Sequence, residues 1–265
     1  MRASVMFCRG SAHAHACARE DVLRPYKVFY VAHQENGSML TKEKIFIKDL
    51  SHQELLDILV KEGAKSYAAD QVFEWVYKKK IQSFDDMSNI KKDLREKLKN
   101  ILELTQVEVM QKQVSALDGT RKYLLKLKRG GMVESVFLPF PGRFSACISS
   151  QVGCREACSF CATATMGLVR HLSSGEIVDQ LFFLEQDTGQ TISNIVFMGM
   201  GEPLDNYENV KKAVFLIHDK DGLNKGARKI TVSTCGLAPE IEKIAEEQWP
   251  VSLAISLNAP ADNDG

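Results

Sequence analysis

The stretch Gly153-Cys154-Arg155-Glu156-Ala157-Cys158-Ser159-Phe160-Cys161 carries three cysteines in the spacing C-x3-C-x2-C, directly after an apolar segment expected to form a strand. Three thiolates on one short loop do not complete the tetrahedral site of a structural zinc, and a fourth ligand would have to come from Cys147 or His171. Soft thiolates also suit an iron–sulfur cluster, which normally takes four protein ligands. A cluster held by three would leave one iron open, so the loop predicts metal or redox chemistry.

The residues around and after this loop alternate between short apolar runs and amphipathic helices. Strands are expected at 144–149, 192–198, 229–233 and 251–257. The intervening helices are marked by a Ser173–Glu176 capping box, by inward Val210, Val214 and Ile217, and by Pro239 followed by inward Ile241, Ile244 and Ala245. Repetition of this kind is typical of βαβ units, so the predicted fold class is α/β with a parallel sheet.

Before the loop, two segments have regular patterns. Residues 39–104 predict a small helical domain, in which one helix begins with a Ser51–Glu54 capping box. The three helices have apolar faces formed by Leu55, Leu56, Ile58 and Leu59, by Val72, Phe73, Val76 and Tyr77, and by Ile90, Leu94, Leu98 and Ile101. Residues 105–140 predict a β-hairpin segment with strands at 106–114, 121–127 and 133–138, and residues 141–265 are expected to form the α/β core.

Residues 1–38 lack a periodic apolar pattern. We expect them to be a disordered leader or the product of a start assigned too early, with Met39 as the true start. A zinc site and a transit peptide are the alternatives. The zinc site would use Cys8, His13, His15 and Cys17.

Composition excludes several classes of protein. The 265 residues include 34 Lys and Arg, 34 Asp and Glu, and 45% apolar residues, which is ordinary for a globular protein and unlike a collagen or a disordered chain. No apolar run reaches the ~18 residues of a membrane-spanning helix. Four of the seven cysteines lie between Cys147 and Cys161, which favours a reducing compartment. Residues 78–99 hold eight basic and four acidic side chains, and either a solvated face or a contact with RNA phosphate explains them.

A second motif carries a resemblance to a known family. Met198-Gly199-Met200-Gly201-Glu202-Pro203 ends the second predicted strand of the core. In register with the cysteine loop, it resembles the radical S-adenosylmethionine (SAM) enzymes, in which a Gly-Glu-Pro segment accepts hydrogen bonds from the amino group of SAM. Glycines permit close backbone approach and a carboxylate attracts an ammonium.

The flanking residues narrow this resemblance to the RlmN/Cfr family of radical SAM RNA methyltransferases, and within it to the enzymes that methylate adenine C2 in rRNA and tRNA. It covers residues 40–260. The matching motifs include Cys147-Ile-Ser-Ser-Gln-Val-Gly-Cys154, Leu172-Ser173-Ser174-Gly175-Glu176-Ile177 and Leu253-Ala-Ile-Ser-Leu-Asn258-Ala-Pro260. The resemblance implies a partial (βα)6 barrel, of which about four βα units are present here.

The resemblance also implies cofactors, partners and site residues. Cys154, Cys158 and Cys161 would hold a 4Fe–4S cluster. SAM would be bound by Gly201, Glu202, Ser233, Leu257, Asn258 and Ala259. The implied substrates are 23S rRNA and tRNA, and the implied electron donor is a flavodoxin or ferredoxin. A cytoplasmic monomer without a membrane anchor is expected, and a disulfide bond is also implied.

In such enzymes a cysteine near the C-terminus is methylated first, and a 5′-deoxyadenosyl radical then abstracts hydrogen from that methyl group. A carbon radical can attack adenine C2, which is electron-poor and unreactive toward the sulfonium of SAM. Glu134 matches the acid/base residue and Cys147 the thiol that resolves the resulting thioether. The plainer interpretation of Cys147 is a buried strand cysteine, and Cys235 is expected to be a packed thiol.

The chain departs from the family pattern near residue 258. Asn258 stands where many members carry histidine, and the methyl-carrying cysteine lies beyond the last residue given, so a C-terminally truncated chain is expected. Two alternatives stay open. One is an adenine-C8 methyltransferase, and the other is a non-catalytic remnant that binds a cluster or RNA.

Overall fold

The computed structural model describes residues 44–257, so the predictions for the leader, Asn258 and Ala259 lie outside it. Its helices are α1 (His52–Lys61), α2 (Tyr67–Tyr77), α3 (Lys92–Ile101), α4 (Ser174–Thr188), α5 (Tyr207–His218) and α6 (Ala238–Glu246). Its strands are β1 (Ile45–Phe46), β2 (Leu102–Glu103), β3 (Val107–Val114), β4 (Arg121–Leu127), β5 (Met132–Phe140), β6 (Arg143–Cys147), β7 (Gln151–Gly153), β8 (Leu168–His171), β9 (Asn194–Phe197), β10 (Ile230–Thr234) and β11 (Ser252–Ile255). No helix in this range combines the length and apolar content that a membrane crossing needs.

The main sheet of the structure has seven strands, in the order β11-β10-β9-β6-β5-β4-β3. Strands β6, β9, β10 and β11 are parallel, which confirms the predicted α/β class. Strands β3, β4 and β5 run antiparallel and join the same sheet through the pairing of β5 with β6. The predicted hairpin segment therefore extends the sheet of the core, because the short turn at Gly142 folds β6 back onto β5.

The two faces of this sheet have different surroundings. On one face Ala146, Ile195 and Ile230 lie side by side on adjacent strands, are fully buried, and belong to the main apolar core that includes the helices. We call this the packed face. On the other face Cys147 lies beside Val136 on β5 and beside Val196 on β9. We call this the open face, because Val196 on it is half-exposed although Cys147 is buried.

The N-terminal helical segment packs against α4. Lys48 forms a buried ion pair with Asp179 of α4, and it also donates to the backbone oxygen of Leu104 at 2.7 Å. Asp49 Oδ1 accepts a hydrogen bond from the backbone amide of Gly175 at 2.6 Å, in the first turn of α4, where free amides favour a negative charge. The segment is therefore fixed to the helical layer behind the packed face.

Local sequence signals match the structure at several helix ends. Both predicted capping boxes, at Ser51 and at Ser173, are formed. Two positions differ from the predictions. Ile90 is buried but precedes α3, which begins at Lys92, and Ala245 is exposed although the periodicity placed it inward.

The basic stretch at 78–99 makes many contacts within the protein. Lys99 pairs with Asp85 and Glu96, and Lys97 donates to the backbone oxygen of Glu62. These contacts favour the interpretation as a solvated face, since Lys97 and Lys99 already have partners within the protein.

Candidate functional site

The cysteine loop is closed by a small antiparallel sheet that the sequence analysis missed. Strands β7 and β8 pair on either side of it, and the Cys154 amide donates to the Gly167 backbone oxygen at 3.0 Å. A Cβ atom at Gly153 would lie 1.8 Å from that same oxygen, and Gly153 has a φ of +77°. Only glycine fits where these two backbone segments approach each other. Gly153 and Gly167 were therefore the sequence features that could have predicted this small sheet.

Cys154, Cys158 and Cys161 are free thiols of intermediate exposure, all on this one loop. Burial raises the pKa of the Cys154 thiol above its usual value. Within residues 44–257 no three His, Cys, Asp or Glu side chains are already gathered as a metal site. The assignment of these thiols as ligands therefore depends on their spacing and on their shared loop.

Glu202 provides a buried carboxylate next to the loop. Its side chain is 4% exposed in a turn directly after β9. One carboxylate oxygen accepts from the Leu204 amide at 2.9 Å, and the other accepts from the Cys235 amide at 2.9 Å. Both donors are neutral, so the negative charge remains available to a cation.

Gly201 lies against the side chain of Gln151. A Cβ atom at Gly201 would be 2.5 Å from Cβ of Gln151, and its φ of +99° also requires glycine. The peptide between Gly201 and Glu202 is therefore pressed onto the strand that leads into the cysteine loop.

Glu134, Cys147 and Ser233 all lie on the open face. Cys147 pairs with Val136, which lies two residues from Glu134 along β5. Ser233 lies two residues after Thr231 on β10, and Thr231 pairs with Val196 on β9. Residues two apart on a strand point to the same side. The three predicted polar residues therefore share one surface, which supports their assignment to one site.

Glu134 has a cationic partner on this face. Lys122 Nζ lies 3.0 Å from Glu134 Oε1, and the lysine side chain is only 2% exposed while that of Glu134 is 29% exposed. Lys122 was not predicted as a site residue, because a lysine in an exposed-looking hairpin gives no signal of burial.

Cys147 is 2% exposed and packs in a small apolar cluster with Val136 and Leu138. This environment satisfies the plainer interpretation of a buried strand cysteine and is equally suited to a thiol kept from solvent.

Those of the remaining predicted residues that fall within 44–257 lie at the ends of the parallel strands. Leu257 follows β11 and is 41% exposed, and Ser233 Oγ is 3.2 Å from the hydroxyl of Ser256. Cys235 follows β10 and its thiol donates to Glu156 of the cysteine loop at 3.4 Å. No disulfide bond joins any of the cysteines within residues 44–257, so the implied disulfide bond is not supported.

Two sequence families match this chain along these same elements. Residues 148–263 match the family described as the radical SAM superfamily, so the match includes the cysteine loop, Glu202 and Ser233. This part of the chain is thus similar to the radical SAM superfamily. Residues 45–104, the helical segment, match the N-terminal domain of the ribosomal RNA large subunit methyltransferases.

Relatives with both parts are known. The chain is 45% identical over 214 residues to a probable dual-specificity RNA methyltransferase RlmN from Clostridium novyi, a match that covers 81% of the chain and 62% of the relative. A protein of the same name from Thermotoga neapolitana is also 45% identical, with the same coverage. The chain thus spans a little under two thirds of the length of these relatives.

A solved structure supports the fold. The crystal structure of a radical SAM methyltransferase from Sphaerobacter thermophilus superposes with a TM-score of 0.77 at 42% identity, over 83% of this chain and 65% of that one. The radical SAM sheet and its helices described above are therefore a shared architecture, with a partial barrel in this chain.

Proposed function

We propose that this chain forms the cluster- and SAM-binding part of an RNA adenine-C2 methyltransferase. The observation that supports it best is the strand register, which places Glu134, Cys147 and Ser233 on one face of the sheet. The cysteine loop and Glu202 adjoin this face at the carboxyl ends of parallel strands, where α/β sheets bind ligands. The relatives named as dual-specificity RNA methyltransferases share this part of the chain.

The residues fit a 4Fe–4S cluster and SAM. Cys154, Cys158 and Cys161 would supply three soft thiolates from one clamped loop. Glu202 would accept hydrogen bonds from the SAM ammonium, and its burial strengthens that attraction. Ser233, Leu257, Asn258 and Ala259 are the further residues proposed for SAM. When bound, the reduced cluster supplies the electron that cleaves SAM reductively.

Proton and thiol chemistry would fall to the open face. We assign Glu134 the role of taking the ring proton from adenine C2, with Lys122 holding its carboxylate at 3.0 Å. Cys147 would attack the sulfur that tethers the product to the enzyme. A disulfide would form as the bond from that sulfur to the product carbon breaks, and the carbon would keep the electron pair and take up a proton to become the methyl group. The location of Cys147 beside Val136 keeps it on the surface that Glu134 occupies. Removal of the proton and release of the product thereby fall to neighbouring strands.

The proposed substrates are 23S rRNA and tRNA, and a flavodoxin or ferredoxin is the proposed electron donor. We also propose that the protein is a cytoplasmic monomer. Methylation at adenine C8 is the competing regiochemistry, and it would use the same cysteine loop.

Anaerobic reconstitution tests the cofactor assignment. The protein should bind about four irons per chain and, with a reductant, should convert SAM to 5′-deoxyadenosine and methionine. A chain that binds no iron–sulfur cluster, or that binds one without cleaving SAM, would contradict this part of the proposal.

RNA methylation is tested in a chain extended after Leu257 with the corresponding remainder of the Clostridium novyi relative. Mass spectrometry of digested rRNA and tRNA should show 2-methyladenosine, and 8-methyladenosine would instead support the C8 alternative. In the extended protein, Cys147→Ala should trap RNA covalently on a denaturing gel. Multiple turnovers by the Cys147→Ala variant would remove Cys147 from the mechanism.

A further inference from the structure

Gln151 lies between the two parts of the proposed cofactor site. It occupies the first position of β7, three residues before Cys154, and its side chain is fully buried. Its backbone amide donates to the Met200 oxygen at 3.2 Å, and its side chain touches Gly201. One residue therefore contacts both the strand that leads into the cysteine loop and the turn that carries Glu202.

The side-chain amide of Gln151 uses its two ends differently. Oε1 accepts a hydrogen bond from the backbone amide of Glu202 at 2.8 Å. Nε2 donates to the Asp205 carboxylate at 2.6 Å and to Nδ1 of His171 at 3.0 Å. A carboxylate accepts only, so Asp205 fixes which end of the amide faces Glu202.

A second contact from the loop reaches the same carboxylate. Nε of Arg155, the residue after Cys154, lies 3.0 Å from Oδ2 of Asp205. Gln151 precedes the first loop cysteine and Arg155 follows it, so Asp205 is bound from both sides of Cys154. Asp205 itself sits three residues after Glu202 in the same short turn. Three polar contacts, two from Gln151 and one from Arg155, therefore join the cysteine loop and the strand before it to the turn that carries Glu202.

We propose that Gln151 is a positioning residue that sets the placement of Glu202 relative to the cysteine loop, and that Asp205 and Arg155 complete this link. The inference rests on the proposed function, since it concerns how one site receives a cluster and SAM together. Cluster binding needs the three thiols, whereas SAM must meet the loop and Glu202 simultaneously. Loss of the link should therefore weaken SAM binding and leave iron loading unchanged.

The main test is Gln151→Glu in the anaerobically reconstituted protein. Glutamate keeps the acceptor for the Glu202 amide but loses the donor, and it places a second carboxylate against Asp205. We expect full iron content and a SAM dissociation constant at least about tenfold higher, the size of effect produced by one spoiled buried hydrogen bond. Gln190→Glu, at an exposed loop glutamine, is the matched control and should change neither quantity.

The double variant Gln151→Glu/Asp205→Asn reverses donor and acceptor. The introduced asparagine amide would then donate to the new carboxylate, so most of the SAM affinity should return. A merely structural loss would not be rescued by adding a second substitution. The change that SAM causes in the electron paramagnetic resonance spectrum of the reduced cluster should likewise be lost in the single variant and recovered in the double variant.

Hydrogen exchange separates this proposal from the proposed function. In cluster-free protein, repulsion from Asp205 should displace the new carboxylate from the Glu202 amide, so that amide should exchange faster in Gln151→Glu than in the native chain, and the Gln190→Glu control should not differ. If Gln151→Glu does not fold, Asp205→Asn alone is measured and should show a smaller loss of SAM affinity. Tight SAM binding by a folded Gln151→Glu protein, with an unchanged Glu202 amide, would overturn the inference and leave the proposed function intact. A native chain that binds neither cluster nor SAM would end both.

Discussion

The packed face and the open face are made by the same strands, yet neighbouring residues on them have opposite roles. On β9, Ile195 is fully buried in the main core, whereas Val196 faces the half-exposed side beside Cys147. On β5, Ser135 reaches Gln180 of α4 at 2.7 Å, whereas Glu134 pairs with Lys122. The alternation of strand side chains thus divides stability and chemistry between two sides of one sheet.

This division has a physical reason. Helices cover the packed face, so its residues gain from removal of apolar area from water. Lys122 and Glu134 on the open face are charged, and their ion pair offsets part of the cost of burying the lysine. Substitutions on the packed face and on the open face should therefore change different properties of the protein.

The largest expected effect is at the edge beside the open face. Cys158→Ala should abolish the iron–sulfur absorbance of the reconstituted protein, because two thiolates do not hold a four-iron cluster. Its melting temperature without cluster should match that of the native chain, since Cys158 is half-exposed. Cys235→Ala is the control and should retain the cluster. Full iron content in Cys158→Ala would contradict the ligand assignment.

The next effect concerns the packed face. Ile195→Ala should lower the free energy of unfolding by about 2–5 kcal/mol, because it leaves a cavity in a fully buried position. Val196→Ala, one residue along the same strand, should cost about 1 kcal/mol. Urea unfolding of the cluster-free proteins measures both. Equal losses would mean that the two faces are equally packed.

A smaller effect is expected from the ion pair on the open face. A double-mutant cycle of Lys122→Met and Glu134→Gln should give a coupling free energy of roughly 1 kcal/mol, since one partner is buried and the other is partly exposed. The same pair of substitutions leaves the packed face untouched. A coupling of zero would show that Lys122 does not hold Glu134.

The smallest expected effect is a pH dependence of the protein's stability that comes from Glu247. Hydrogen bonds from Trp249, Lys211 and Tyr207 lower the pKa of Glu247 to about 2. A lowered folded-state pKa stabilises the protein above the ordinary carboxyl range, and that contribution is lost as the pH falls toward 2. The stability difference between native protein and Glu247→Gln should therefore be present at pH 6 and vanish near pH 2. Glu246→Gln, at the adjacent exposed residue, serves as the control in thermal unfolding.

Local signals in the sequence predicted much of the fold. The capping boxes at Ser51 and Ser173, and the apolar runs of the parallel strands, depend on neighbours along the chain and were confirmed. The joining of β5 to β6 was not predicted, because pairing between segments leaves no periodic pattern within either one. The extra pairing of β7 with β8 was missed for the same reason.

The site was predictable only where residue type and spacing carry the chemistry. The three loop cysteines and Glu202 follow from their motifs, and their roles stay predictions. Lys122 and Gln151 were missed, because lysine and glutamine are usually exposed and only the register and the buried contacts show otherwise.

The ion pair between Lys48 and Asp179 has a consequence for synthesis on the ribosome. The two residues are 131 positions apart in the chain, and both are almost completely buried in the folded protein. At the elongation rate of about 5–20 residues per second, Lys48 is added to the chain roughly 7 to 26 s before Asp179. Throughout that interval the lysine stays in water, and the helical segment has no α4 to pack against. The helical segment is synthesised before the sheet of the core but cannot complete its packing until α4 has been translated.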